Sequence, residues 1–179
     1  MFGNLFKKRM SVDAAVDSIL SALTRFDRMQ VWGAELSEVS GLQLEKAKEE
    51  MFYLDCFAVY IVLKFHHSPS WKENGMKIFE KVFQGCAIYA ATTLAGKVNA
   101  TMEEAKKGWA AIDNRFSVYG PIFEGSEDTL ADIGTAFSKF CQVEGNPVLI
   151  RVGADLFNVR GHMLTKFAQE HPVSDQALR

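Results

Sequence analysis

One carboxylate lies inside the most apolar stretch of the chain, where a charged group is costly. Asp55 is near the middle of residues 51–65, which read MFYLDCFAVYIVLKF. A carboxylate removed from water must be neutral or paired with a cation or hydrogen-bond donors. A paired Asp55 would tie two helices together. In an otherwise apolar pocket, the same residue would anchor a small ligand or serve as a general acid or base.

The expected partners of this carboxylate are tyrosine hydroxyls, indole N–H groups and guanidinium groups. Outside the indoles, the candidate partners are Tyr89, Tyr119, Arg115 and Arg160. The ligand-pocket hypothesis gathers residues of the helices that should pack around this segment, and its members are Asp55, Tyr60, Cys86, Tyr89 and Arg115. A structural tie and a ligand pocket both stay open on the sequence alone.

Residues that commonly bind metals occur without a recognisable ligand spacing. His66 and His67 are adjacent, so on a helix their side chains point about 100° apart and cannot chelate one ion together. His162 and His171 are isolated, and the Glu-x-x-His motif of di-iron bundles does not occur. We therefore predict no metal site and no cofactor. A haem held by a single histidine stays an open alternative.

Nucleophilic catalysis finds no support in the sequence. Gly-x-Ser-x-Gly and Gly-x-x-x-x-Gly-Lys motifs are absent. Cys56, Cys86 and Cys141 are widely spaced, and each falls within an apolar helical pattern, which is typical of reduced thiols in a core. We expect three free cysteines in a reducing compartment, and hence a cytoplasmic protein. Because the catalytic motifs are absent, we predict no catalytic residues.

Length, composition and charge limit the class of protein. The 179 residues fit one domain, and 48% apolar with 23% charged residues is typical of a globular chain. A net charge of −2 gives no electrostatic reason to expect nucleic acid as a partner. The longest apolar run is interrupted by Asp55 and Lys64 and is shorter than the roughly 20 residues that a transmembrane helix needs. We expect no transmembrane segment.

Apolar residues recur at three- and four-residue steps along most of the chain, which predicts helices. A helix over about residues 42–66 is apolar on nearly every side, so we expect the others to surround it. Five further helices are predicted from N-cap residues, which are Ser11, Ser70, Thr101, Ser126 and Asn146. The helix after Thr101 is expected to end at Gly120-Pro121.

These elements predict an all-α, single-domain antiparallel bundle of about six helices over residues 11–172. Residues 1–10 are expected to be a flexible lead-in that makes at most weak contact with an anionic membrane surface. Residues 173–179 are expected to be a frayed tail. In the first part of the central helix, the spacings of Lys46 with Glu50 and of Glu45 with Lys48 predict ion pairs on an exposed face.

Three classes of function follow. The first is a non-catalytic interaction or adaptor protein that acts as a homodimer or with another protein, because aromatic residues occur near predicted helix ends. The alternative is a carrier or sensor that binds an apolar small molecule between the central helices near Asp55. The second alternative is an enzyme with a buried acid–base carboxylate, for which the sequence offers no second catalytic group.

Overall fold

The chain is mostly helical, and the predicted all-α class is confirmed. The computed structural model describes residues 9–25, 34–38, 41–66, 68–94, 96 and 99–174. Within these residues the only strands are two of two residues each. The predictions made for residues 1–8 and 175–179, and for His67, fall outside the described residues.

Helices follow one another through the described part of the chain with short connections. They are α1 (Val12–Leu23), α2 (34–38), α3 (Leu44–Phe65), α4 (Pro69–Tyr89), α5 (Met102–Gly125), α6 (Thr129–Phe140) and α7 (Pro147–Glu170). A π-helical turn, Ala90–Leu94, continues α4. Strand β1 (Met10–Ser11) precedes α1, and strand β2 (Val173–Ser174) follows α7.

Side chains that cap helix N-termini explain where several helices begin. The Ser11 hydroxyl accepts a hydrogen bond from a backbone N–H in the first turn of α1. Thr101 and Glu104 form a reciprocal capping box at the start of α5. The Asn146 side chain accepts two backbone N–H groups of α7, with proline in the first turn of the helix. These three predicted N-caps are confirmed.

Two predicted N-caps are wrong. The N-cap of α4 is Ser68, and the chain enters the helix at Pro69 rather than after Ser70. The fixed φ of proline suits the first helical position, which explains the earlier start. The N-cap of α6 is Asp128. Ser126 instead ends α5, because that helix extends further than the sequence predicts.

The predicted end of α5 at Gly120-Pro121 is also wrong, since the helix continues to Gly125. A proline inside a helix leaves the carbonyl four residues earlier without its N–H donor. That carbonyl belongs to Ser117, which is exposed, as is Pro121. Water can therefore satisfy the orphaned carbonyl, and the helix tolerates the proline near its C-terminus.

α3 is the helix around which the others pack. It contacts α1, α4, α5, α6 and α7. Every residue from Met51 to Val59 is buried, so neighbours surround this part of the helix on all sides. The predicted buried central helix is confirmed, with bounds of 44–65 in place of 42–66. Any polar group carried by this segment must lie in the interior of the protein.

Two hydrophobic clusters meet at α3. One contains Phe52 and Cys56 of α3 and side chains of α1 and α4. The other contains Leu54 and Phe57 of α3 and side chains of α5, α6 and α7. Because both clusters contain residues of α3, this helix lies between the two halves of the core. Its direction and register decide which residues of the remaining helices meet.

The order of contacts gives the relative direction of the helices around α3. Phe52 packs against Tyr89 and Tyr60 packs against Phe79, so α3 and α4 run in opposite directions. α3 and α7 run in the same direction, since Met51 and Val152 line one groove near the start of both helices, and Phe65 and Gln169 line one pocket near the end of both. Helices far apart in sequence thus lie side by side.

The two short strands connect the beginning and the end of the described chain. β1 pairs with β2 in parallel, with Met10 opposite Val173. The Trp71 indole N–H donates to the His171 carbonyl oxygen at 2.9 Å, which ties this end of α7 to α4. Val173 is buried in the core cluster that contains α1 and α4. Residues 10, 11, 173 and 174 therefore pack onto the helical body.

Candidate functional site

Asp55 is paired with a guanidinium group in the interior. It is 8% exposed, and Arg160 of α7 approaches both of its carboxylate oxygens. Arg160 Nε donates to Oδ1 at 2.8 Å, and Nη2 donates to Oδ2. This bidentate geometry is the strongest form of an arginine–carboxylate pair. Burial works against the charged guanidinium, but the hydrogen bonds and charge of Asp55 outweigh it and raise the pKa of Arg160.

A second buried carboxylate, Glu50, was not predicted to be buried. It is completely buried, and its carboxylate accepts from Lys46 Nζ at 2.7 Å and from Arg115 Nε at 3.2 Å. Arg115 Nε donates to Oε2, whereas Arg115 Nη2 donates to Oε1, the oxygen that also accepts from Lys46. The predicted pairing of Lys46 with Glu50 occurs, but the prediction of an exposed face is wrong for Glu50 and for Lys48, which is also buried. Arg115 of α5 covers this face.

Aromatic rings enclose the Glu50 pair. The guanidinium carbon of Arg115 lies 4.4 Å from the centre of the Tyr53 ring and 5.0 Å from that of Phe140. Stacking of this kind favours arginine over lysine at a buried site. Burial opposes the charge of Arg115, but its hydrogen bonds to Glu50 prevail and raise its pKa. Arg115 therefore stays charged although its side chain is only 13% exposed.

One hydroxyl beside this pair is unsatisfied. The Tyr119 hydroxyl is buried and has no hydrogen-bond partner among the residues that the structure describes. Burial, followed by the nearby negative charge of Glu50, raises the pKa of Tyr119 well above its ordinary value. A buried hydroxyl without a partner costs about 1–3 kcal/mol. Tyr119 therefore stays protonated and contributes through its ring, which packs on Phe57.

The residues of the ligand-pocket hypothesis do not all meet at Asp55. Arg115 pairs with Glu50, whereas Asp55 pairs with Arg160. Tyr60 lies further along α3, where it borders an open furrow between α3 and α4. The charged members therefore belong to two separate ion pairs. A ligand bound beside Asp55 stays a prediction.

The other two members of that hypothesis lie on the α4 side of α3. Tyr89 packs against the Phe52 ring, with 4.9 Å between the ring centres. Cys86 neighbours Cys56, and both thiols are free and buried, as is Cys141. Burial, then the Cys86 side chain and the charge of Asp55, raise the pKa of the Cys56 thiol well above its ordinary value. The prediction of free, buried cysteines is confirmed.

An open groove lies between α2, α3 and α7. Its volume is about 430 Å³, and apolar side chains dominate its lining. We call it the acid-rimmed groove, and its lining residues are Glu35, Leu36, Met51, Val148, Val152, Asp155, Leu156 and Val159. The two carboxylates are exposed, whereas Leu36 and Met51 are buried and form its floor. The groove thus presents apolar surface to solvent with negative charge at its edge.

The groove exists because α7 carries more apolar residues than its packed face can bury. Leu149, Phe157 and Leu164 are buried, whereas Val159 and Met163 are 45% and 46% exposed. The sequence pattern alone does not separate these two stripes, because both recur at helical spacing. The useful signal is the excess: a helix needs only one apolar stripe to pack on a core. A second, unpaired stripe indicates a surface for another molecule.

A second open site lies between α3 and α4 beside the turn that joins them. Its volume is about 310 Å³. We call it the lysine-rimmed furrow, and its lining residues are Tyr60, Leu63, Lys64, His66, Lys72, Gly75, Met76 and Phe79. Lys64 Nζ donates to Glu124 at 3.0 Å and lies 5.3 Å from the centre of the Tyr60 ring. The rim of this furrow is thus positively charged, whereas the rim of the acid-rimmed groove is negatively charged.

Neither a cluster of metal-binding side chains nor a membrane-crossing helix occurs in the described part of the chain. Across residues 9–174, leaving out the gaps already named, no group of three His, Cys, Asp or Glu side chains is placed to hold a metal ion. None of the described helices combines the length and the apolar character needed to cross a membrane.

No protein-family model matches this chain, and neither the curated proteins nor the solved structures contain a match. What the protein does must be inferred from the geometry and charge of the described residues.

Proposed function

We propose that this chain is a non-catalytic interaction protein and that the acid-rimmed groove binds a helical segment of another polypeptide. The groove itself is the observation that carries the proposal. Its apolar side chains come from two long helices and a short one, and the groove that they line is open to solvent above the buried floor. A contiguous apolar groove bordered by polar groups is typical of a site for a protein partner.

The dimensions of the groove suit a short amphipathic helix. Along α7 its lining runs from Val148 to Val159, which is a distance of about 16 Å at 1.5 Å per residue. A helix that binds in a groove inserts residues spaced i, i+3 or i+4, and i+7, which span about 10 Å. Three such anchors can therefore lie within the groove, over the floor formed by Leu36 and Met51.

The charges on the rim favour a basic partner. Glu35 and Asp155 contribute two carboxylates. Arg151 lies 3.7 Å from Asp155, but both side chains are largely exposed, so this ion pair is weak and can exchange. A partner helix with Lys or Arg next to its apolar anchors would meet complementary charge. Such charges mainly accelerate association and select the orientation of the partner.

The buried carboxylates support a role without catalysis. Asp55 accepts two hydrogen bonds from one guanidinium, and Glu50 accepts from a guanidinium and an ammonium group. A general acid or base must reach the reacting atoms of a substrate. Asp55 instead holds α3 to α7, and Glu50 holds α3 to α5. This disfavours the enzyme alternative.

Selection from a library of helical peptides tests the proposal. We expect the enriched peptides to carry apolar residues at i, i+4 and i+7 with an adjacent Lys or Arg. Val159→Glu should weaken their binding at least about tenfold, because an apolar anchor of the peptide would have to bury a carboxylate at this position of the lining. Val118→Glu is the matched control, since Val118 of α5 is similarly exposed and lies outside the groove. Equal binding by both variants would contradict the proposal.

Analytical ultracentrifugation of the chain without peptide tests whether the partner is a second copy of this chain. If a second copy is the partner, the wild-type chain and Val118→Glu form dimers, and Val159→Glu is a monomer. If all three are monomers while the selected peptides still discriminate between the variants, the partner is a different polypeptide.

A further inference from the structure

The lysine-rimmed furrow has a charged end and an apolar end. Lys64, His66 and Lys72 lie beside the turn between α3 and α4. Tyr60 lies about one and a half helical turns from it and Phe79 nearly three, and their ring centres are 5.7 Å apart. Positive charge is thus confined to one end of a cleft that is otherwise apolar. This is the arrangement expected around a molecule with one anionic group and a hydrocarbon chain.

A glycine lets α4 approach α3 closely at the furrow. Gly75 is buried and lies between the positions of Lys72 and Phe79 on α4. A Cβ atom at Gly75 would approach the backbone oxygen of Leu63 to 3.3 Å, which is a tight contact. Met76 is 68% exposed at the edge. Its flexible thioether side chain can adjust to the shape of an apolar ligand.

The positively charged end of this furrow favours the binding of one anion. Lys64 is paired with Glu124, but both side chains are substantially exposed, so the pair is weak and can be exchanged. Hydrogen bonds to Tyr60 and Glu124 raise the pKa of Lys64, which keeps its ammonium group charged. Lys72 is exposed on the opposite side of the furrow. Among the described residues that line the furrow, two are lysines, and one of them is paired with a carboxylate.

We propose that the lysine-rimmed furrow binds a medium-chain carboxylate, with the carboxylate group at the α3–α4 turn between Lys64 and Lys72 and the alkyl chain over Tyr60, Met76 and Phe79. From Lys72 to Phe79 the helix rises about 10 Å. The volume of about 310 Å³ lies at the lower end of the range for small-molecule sites. Both values favour a short single chain over a diacyl lipid. This site is separate from the acid-rimmed groove and does not depend on its function.

Calorimetric titration with sodium decanoate, kept below its critical micelle concentration, tests the site. We expect saturable one-to-one binding by the wild-type chain. Decan-1-ol, which is neutral, and decyltrimethylammonium, which is cationic, should bind at least tenfold more weakly. Lys72→Glu should weaken decanoate binding at least tenfold, because it replaces an attractive charge at the carboxylate end with a repulsive one.

Lys106→Glu provides the matched control, since it makes the same change in net charge at an exposed position of α5 outside the furrow. It should bind decanoate like the wild-type chain. Equal losses in Lys72→Glu and Lys106→Glu would overturn the site, as would equal affinity for decan-1-ol and decanoate. Absence of saturable decanoate binding in a folded wild-type chain would also overturn it. None of these results bears on the peptide-binding groove.

Discussion

Two carboxylates of α3 are buried five residues apart, and each is paired in a different way. Glu50 is completely buried and accepts hydrogen bonds from Arg115 of α5 and from Lys46 of its own helix. Asp55 retains 8% exposure and is held by Arg160 of α7. Five residues rotate a helix by about 140°, so the two side chains leave α3 in different directions. One helix thus makes charged contacts with two neighbours.

The difference shows what these pairs contribute. Moving charges out of water costs about as much as a buried pair regains, so such a pair adds little net stability. Removing one partner is costly, because the remaining charge is left in the interior. Each pair links α3 to a distant part of the chain, 65 residues away for Glu50–Arg115 and 105 residues away for Asp55–Arg160. We therefore expect these pairs to act mainly in selecting which helices lie beside α3.

The largest effect is expected from Arg115→Met. The substitution keeps much of the apolar contact with Tyr53 and Phe140 but removes two of the donors to a carboxylate that water cannot reach. We expect a loss of about 3–5 kcal/mol in the free energy of unfolding, measured by urea denaturation. Arg151→Met is the control, since the exposed Arg151 makes only a long ion pair and should change stability by less than about 0.5 kcal/mol.

A smaller loss is expected from Arg160→Met. The Asp55 side chain is 11% exposed, so water can partly hydrate its carboxylate once the guanidinium is gone. We expect a loss of about 2–3 kcal/mol in the same denaturation experiment. Adding Asp55→Leu to this variant should restore most of the stability, because it removes the buried carboxylate that has lost its guanidinium partner. If Arg160→Met costs as much as Arg115→Met, exposure is not what distinguishes the two sites.

The same two sites show how far the sequence can be read. The apolar run around Asp55 makes a buried, paired carboxylate predictable, and Arg160 is among its four candidate partners. Choosing between the candidates requires the register of α3 against α7, which depends on packing across the whole core. Local periodicity predicts which face of a helix is apolar, but it does not predict which distant helix covers that face.

Glu50 illustrates the opposite error. Its pairing with Lys46 suggests a solvated face, because such pairs are usually exposed. A counter-signal was present, since Glu50 precedes Leu54 and Phe57 by four and seven residues and so shares their buried face. The excess of apolar residues on α7 is a similar signal for the acid-rimmed groove. Arg115 supplies the cation from 65 residues away, which no local pattern reveals.

The smallest expected effect is on the free energy of unfolding at alkaline pH. It comes from Cys141, a buried thiol near Glu50. Burial, followed by the charge of Glu50, raises the pKa of the Cys141 thiol from 9.0 to about 12. A group with a raised pKa stabilises the fold fully below its unfolded pKa, and this contribution is lost as pH rises from 9 towards 12. Cys141→Ala should therefore reduce the fall in unfolding free energy between pH 8 and pH 10 by about 1 kcal/mol. Urea denaturation at the two pH values measures this difference, and identical falls in both proteins would show that Glu50 and its surroundings do not hold this thiol protonated.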